Sequence, residues 1–383
     1  MAESAPEIVE SHYLETTDGL FFAVKGLVHP PDRLLAILRY APDPAGERVK
    51  DGRRYRRLYH FEEQERLLRE HHPHYLALDP VCQVILQSVP RSRVWRVYDP
   101  RARLQELLEQ NHAPMSLEAD VVACVTLLQQ EAGVPWSSLG VSGSLLVGLH
   151  TPNSDLDLTV YGAREGWAVH RALKRLLAEG VGGFSRFDAR GLEELYAERV
   201  ADTRMAFADF VASEQNKAFQ GHFRGRPYFV RFLKAPAEIG ESYGDRRYTP
   251  LGRIGIEAVV TDADDRIFTP CRYGVGVLRF LEDADAPLPS HPWGEPNFPA
   301  DRGLEGTLTE IISFRGRFCE QAMAGDLVRA WGTLERVETR DGYAWCRLLL
   351  GNHTDDTMLV IPEGLPRWRG TSQDHSGLHG GEK

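Results

Sequence analysis

Gly140-Val141-Ser142-Gly143-Ser144-Leu145-Leu146-Val147-Gly148-Leu149-His150-Thr151-Pro152-Asn153-Ser154-Asp155-Leu156-Asp157-Leu158-Thr159-Val160-Tyr161-Gly162 is the stretch around which the rest of the chain is organised. Asp155 and Asp157 alternate with Leu156, Leu158 and Val160, the pattern of a half-buried strand. Both carboxylates therefore project from one face while the leucines and the valine fill the other. Two carboxylates so close repel each other, and the pair is costly unless a cation sits between them. Hard oxygen ligands in that arrangement suit Mg²⁺ or Mn²⁺, which complete their shells with substrate phosphates. Upstream, Gly143-Ser144 reads as a strand-to-helix turn whose missing side chain and free N–H groups admit a phosphate. A phosphate cradle facing a metal-binding acid pair is the apparatus of phosphoryl or nucleotidyl transfer. The plainer alternative is a simple turn followed by a solvated strand face.

Working outward, a helix is expected from Ser116 to about Glu131. Ser116 stands at the cap position and Gly133-Val134-Pro135 at the stop. Trp167–Glu179 is amphipathic, with Gly180 as its C-terminal stop. A long helical stretch over Leu192–Phe219 leads into a strand at Tyr228–Leu233. N-terminal to this core, Leu20–Val28 and Leu34–Tyr40 read as strands, and Phe61–His71 and Leu104–Gln110 as helices. His71, His72 and His74 read as exposed loop rather than a metal site, because Pro73 breaks their spacing. Asp283–Gly303, rich in Pro, Asp and Gly, is the clearest boundary. Beyond it, Leu304–Arg317, Leu327–Glu338 and Tyr343–Leu350 are strands, with Asp341-Gly342 as a hairpin signal.

The expected fold class is α+β, with a mixed sheet flanked by helices at 113–282. An N-terminal α+β module occupies 1–112, and 283–303 is a linker. A small β-barrel of the oligonucleotide-binding type covers 304–363, and a disordered tail covers 366–383.

Composition excludes several classes. Of 383 residues, 42% are hydrophobic and 26% charged, which is globular rather than disordered or fibrous. No apolar run approaches the ~20 residues of a membrane span, and the acidic start lacks the apolar core of a secretory signal. Cys82, Cys124, Cys271, Cys319 and Cys346 form no C-x-x-C pair, which suits a reducing cytoplasm. The chain therefore reads as soluble and cytoplasmic, with no membrane partner. The net charge is −10, but residues 1–112 hold 16 Lys and Arg against 17 Asp and Glu, nearly neutral. Their basic residues cluster around Arg48–Arg57 and Arg91–Arg103 with Tyr55, Tyr59, Trp95 and Tyr98 between. That mixture either binds phosphates and stacks bases or packs Arg stems on rings at a solvated face.

Two rival motifs fail on detail. Gly143–Gly148 has P-loop spacing but is followed by Leu149-His150 instead of Lys and Ser/Thr. Gly140–Ser144 approaches a nucleophile elbow but ends in Ser144 instead of Gly.

Gly143-Ser144, Gly148 and Ser154-Asp155-Leu156-Asp157, with ten residues between Ser144 and Asp155, resemble the signature of the polymerase-beta-type nucleotidyltransferase superfamily. The layout is similar to uncharacterised prokaryotic proteins described as predicted nucleotidyltransferases. The resemblance implies transfer of a nucleoside monophosphate from an NTP, ATP or CTP, using Mg²⁺ or Mn²⁺. Asp155 and Asp157 would be the metal-binding and catalytic acids, and Gly143, Ser144 and Ser154 nucleotide contacts. The superfamily also supplies a third carboxylate from a later strand, but here Tyr228–Leu233 carries Arg231 where an acid would sit. Glu257, in Ile254–Val260, is the candidate substitute, or else an edge-strand charge. Lys217 and Arg231 are candidate triphosphate contacts, or else surface charges. The barrel and the N-terminal Arg/aromatic clusters suggest an RNA or other nucleic-acid acceptor, with a small-molecule or protein hydroxyl left open. The alternatives are a weak or inactive nucleotide- or nucleic-acid-binding protein, and a transferase that nucleotidylates a partner protein.

Overall fold

The computed structural model describes residues 8–202, 204–281 and 307–362. The expected linker at 283–303 and tail at 366–383 lie outside the described residues. Among the described residues no helix is long and apolar enough to cross a membrane.

The central layer is a five-stranded mixed sheet in the order Phe184–Ser185, Gln220–Phe223, Arg226–Leu233, Leu156–Tyr161, Leu139–Val141. Leu156–Tyr161 runs parallel to Arg226–Leu233, with Asp157 opposite Phe229 and Thr159 opposite Arg231. Helices Leu117–Ala132 and Ala163–Glu179 cover one face. Their buried stripes, Val121, Cys124, Val125, Leu128 and Val169, Leu173, Leu176, Leu177, follow helical spacing. The caps are as the sequence dictates. Ser116 accepts from the Ala119 N–H at 3.1 Å, and Gly133 and Gly180 close the helices at φ 63° and 64°. The long helix expected over 192–219 is instead two, Ala189–Arg199 and Phe207–Glu214. Across the break the Tyr196 hydroxyl donates to the Met205 carbonyl at 2.8 Å.

The N-terminal part is an eight-stranded antiparallel sheet in which Arg33–Pro42 is the spine. One edge of that strand pairs with Phe21–Val24; the other is shared between Arg53–Arg57 and Val84–Pro90. One face, with Leu14, Phe22, Val24, Ala36 and Leu38, packs with Leu68 of the helix Phe61–His71. The other, with Tyr13, Phe21, Tyr40 and Tyr55, packs on Leu146, Val147 and Leu149. The second contact seats the sheet directly on the segment that follows Gly143-Ser144.

The C-terminal strands close into a five-stranded barrel: Arg246–Asp262, Cys271–Leu281, Leu308–Ser313, Ala344–Leu350, Leu327–Thr339 and back to Arg246–Asp262. Asp341-Gly342 makes the expected turn, with Gly342 at φ 86°. The barrel begins far earlier than the 304 expected from sequence. Its first two strands lie within the segment assigned to the core, because their partners are remote: Tyr248 pairs with Val337 and Ile256 with Ala330. One apolar cluster runs through central sheet and barrel alike, joining Leu158 and Val230 to Ile256, Leu308 and Leu348.

Candidate active site

The acid pair sits where all three layers meet. Gly143 turns the chain at φ +62°, and a Cβ there would lie 1.8 Å from Asp157 Oδ2. Only glycine lets the strand carboxylate press against this turn, and only glycine takes that φ without strain. The Ser142 N–H donates to the Asp157 carbonyl at 2.9 Å, and the Ser142 hydroxyl to the Ser11 carbonyl of the N-terminal layer at 2.8 Å. Ser144 is buried and its hydroxyl has no partner.

Neither carboxylate of the pair has a hydrogen bond or ion pair at contact distance among the described residues. Burial pushes the Asp157 carboxyl well above the ordinary carboxylate range, and Asp155 pushes it further. Arg57, Arg231 and Arg39 pull it back without reversing the shift. Burial works against the Arg57 charge, but Tyr40, Tyr59 and both carboxylates outweigh it, so its affinity for its proton rises.

Two of these three arginines, Arg39 and Arg57, come from the N-terminal layer. Arg57 belongs to the Arg48–Arg57 cluster, for which the sequence offers phosphate binding or a solvated face, and Arg39 lies outside that cluster. No local signal marks them; the fold carries them to the acid pair.

A divalent cation fits this donor set. The two carboxylates are half-buried hard oxygen ligands, and no guanidinium among the described residues contacts them.

The other expected residues divide. Ser154 is buried and holds a turn, accepting from the Thr151 N–H at 3.0 Å and from Arg48 at 3.3 Å. Arg231 lies opposite Thr159 in the register, two residues beyond the Asp157–Phe229 pair. It pairs at 3.4 Å with Glu10, which is 1% exposed in its side chain and also holds Lys25 at 2.7 Å. Lys217 is buried away from solvent, donating to Glu214, to Gln321 and to the Arg317 carbonyl, so it is no surface charge. Glu257 is not brought into this group. It lies on the barrel strand Arg246–Asp262, clamped by Arg279 at 2.7 Å and Arg329 at 2.6 Å. Those two arginines hold it below the ordinary Glu range, despite partial burial.

The basic clusters of residues 48–103 divide as well. Arg48 is an internal tie, donating to the Leu149 carbonyl at 3.2 Å. Arg57 and Arg96 stack over Tyr59 and Tyr98 at 4.5 and 5.8 Å, while Trp95 is 70% exposed. The histidines gain a neighbour that the sequence did not offer. Asp18 Oδ2 lies 3.3 Å from His74 Nε2, with His72 close by. That carboxylate already accepts the Tyr75 hydroxyl at 2.6 Å and pairs with Arg93 at 3.5 Å. The hollow lined by Tyr161, Glu165 and Glu238 sits at the far end of strand Leu156–Tyr161, away from the acids.

No protein-family model matches the chain, and no solved structure matches it. The chain is similar to an uncharacterized protein of Methanocaldococcus jannaschii, 28% identical over 355 residues, covering 88% of this chain and 94% of that protein. A likeness of that extent is not confined to the acid-pair stretch; it runs through the three-layer architecture that builds the site.

Proposed function

We propose that the protein is a Mg²⁺- or Mn²⁺-dependent nucleotidyltransferase that moves a nucleoside monophosphate from ATP or CTP to an acceptor hydroxyl, with RNA as the acceptor class. The observation that carries this reading is the acid pair itself. Asp157 is half-buried, pressed against Gly143 and destabilised by desolvation and by Asp155, and no described residue makes a hydrogen bond or ion pair to its carboxylate. A partly desolvated carboxylate left so is a standing cost that a bound cation removes.

Asp155 and Asp157 would hold the cation, which when bound neutralises charge developing on the transferred phosphoryl group. The Gly143-Ser144 turn brings backbone N–H groups and the unpartnered Ser144 hydroxyl to the same spot. The Arg57 and Arg39 guanidiniums add positive potential where a triphosphate would lie. The five-stranded barrel and exposed Trp95 favour a nucleic-acid acceptor.

Arg231 and its partner Glu10 favour a second reading, a nucleotide- or nucleic-acid-binding protein with weak or no turnover. The position that would deprotonate the acceptor holds a cation, and the neighbouring acid is neutralised by Lys25 and Arg231.

Label transfer separates the two. With α-phosphate-labelled NTP, Mg²⁺ or Mn²⁺ and total RNA, label is expected in RNA, and Asp155→Asn/Asp157→Asn should lower the rate at least about a hundredfold. Metal-dependent NTP binding without transfer would support the binding reading. Label on protein instead of RNA would point to a partner-protein acceptor. NTP binding that is absent, or indifferent to metal and to the double substitution, would overturn both readings of the acid pair.

A further inference from the structure

Buried guanidiniums in this barrel are otherwise matched. Arg347 donates to Glu335 at 2.8 Å and lies 3.9 Å over the Tyr248 ring. Arg253 reaches Asp355 and Asp356 at 2.8 and 2.7 Å. Arg317, on the loop after barrel strand Leu308–Ser313, is the exception. Its Nε and Nη2 are shut off from solvent and have no partner. Burial, and then the charge of Arg315, push it down to about 9, far below an ordinary arginine. Arg315 itself has only a 4.0 Å contact with Asp202, an acid that also faces His60 at 3.6 Å. Asp356, the other acid near this pair, is already occupied by Arg253 and three backbone N–H groups.

The loop is held firmly in this state. Lys217 donates to the Arg317 carbonyl, and the Tyr273 hydroxyl to the Phe318 carbonyl at 2.7 Å. Gly316 packs flat on Phe229, where a Cβ would come within 2.7 Å of the ring. Phe229 is the register partner of Asp157, so the loop is fixed beside the acid pair. Arg39 acts electrostatically on both Arg315 and Asp157, linking the two charge clusters. A rigid loop that half-buries a guanidinium with two unpartnered nitrogens next to a second cation carries a free-energy cost that the Phe318 ring at 5.9 Å offsets only in part.

We propose that Arg315 and Arg317 form a phosphate-binding subsite adjoining the acid pair, completed by the oxygens of a phosphate group of the nucleotide or of the acceptor. Guanidinium forks match phosphate oxygens in a way that the 4.0 Å contact with Asp202 does not. The existence of the subsite stands on the unmatched arginines. Its assignment to nucleotide or acceptor rests on the nucleotidyltransferase reading.

The test uses the full chain in EDTA, so that no divalent cation contributes. Probes are inorganic phosphate, tripolyphosphate, ATP and a short single-stranded oligoribonucleotide, followed by calorimetry and thermal melting. Wild type should bind tripolyphosphate and melt higher with it. Arg317→Met should weaken that binding at least tenfold, and Arg317→Lys less. Without ligand, Arg317→Met should melt at or above wild type, because it removes an unmatched buried charge. An arginine with a merely structural role would melt lower when replaced. Selective loss of ATP binding assigns the subsite to the nucleotide, and selective loss of oligonucleotide binding assigns it to the acceptor. Probe binding by Arg317→Met equal to wild type, or no binding of any probe by wild type, would overturn the proposal. Failure of the acid-pair reading would appear separately, in the Mg²⁺-dependent experiment above.

Discussion

Asp356, on the loop after barrel strand Ala344–Leu350, and the half-buried Asp157, at the centre of the molecule, are both carboxylates at least partly withdrawn from water, and the chain surrounds them in opposite ways. Asp356 is 0% exposed, and one of its oxygens accepts the N–H groups of Gly351, Asn352 and His353 at 2.7, 2.9 and 3.0 Å. Its other oxygen takes Arg253 at 2.7 Å. Asp157 has neither a donor nor an ion pair in contact, lies next to a second carboxylate, and is held against a glycine turn that no other residue could occupy. Both positions constrain the backbone around them, so carelessness of packing does not explain the difference. A carboxylate that stabilises a fold is given its donors by the fold, and one that receives a ligand is left short of them. Arg347 and Arg317 repeat the contrast with the opposite sign of charge.

The comparison breaks most visibly under truncation. Asp356→Ala strands three loop N–H groups and takes from Arg253 one of its two carboxylate partners, and is expected to cost about 3–5 kcal/mol in denaturant unfolding. Asp157→Ala should cost nothing or stabilise the metal-free protein, since it removes a repelled buried charge, while abolishing metal-dependent NTP binding. Equal destabilisation by the two substitutions would remove the distinction between them.

Gly143→Ala tests the same site from the turn. Its new methyl would overlap the Asp157 carboxylate at a φ of +62°. About 2–3 kcal/mol of stability should be lost, from backbone strain and overlap together. Metal-dependent NTP binding should fall with it, because Asp157 must move to make room. Retained binding would mean that Asp157 does not act from the position it occupies against Gly143.

What could be read from the sequence was local. The 140–162 stretch shows its turn and its strand because their residues are consecutive and alternate cleanly, and Ser116, Gly133 and Gly180 mark helix ends because caps act within one turn. The strand Arg246–Asp262 was misassigned to the core because its pairing with Leu327–Thr339 leaves no trace in its own composition. Arg39, Glu10, Arg315 and Arg317 were invisible for the same reason: each matters through a neighbour far away in the chain, such as the Glu10–Arg231 pair. Glu257 is a candidate by sequence as a substitute third carboxylate, and Lys217 as a triphosphate contact, each from its charge alone. Burial beside Glu214, and the clamp of Arg279 and Arg329, account for them structurally.

The finest test of the comparison is its pH dependence. Burial and Asp155 raise the Asp157 carboxyl above its unfolded value, so over the intervening range the folded chain binds a proton that the unfolded chain has released. The stability this contributes is fully present below the ordinary Asp value of about 4 and is lost as pH rises through the folded value. In EDTA, wild type should therefore gain stability relative to Asp157→Asn as pH falls from neutrality toward 5, by on the order of 1 kcal/mol. Saturating Mg²⁺ should abolish that gain, because a cation on the pair favours the ionised form and competes with the proton. Parallel curves in EDTA would show that Arg57, Arg231 and Arg39 already neutralise Asp157, and the deficit that sets it apart from Asp356 would then not exist.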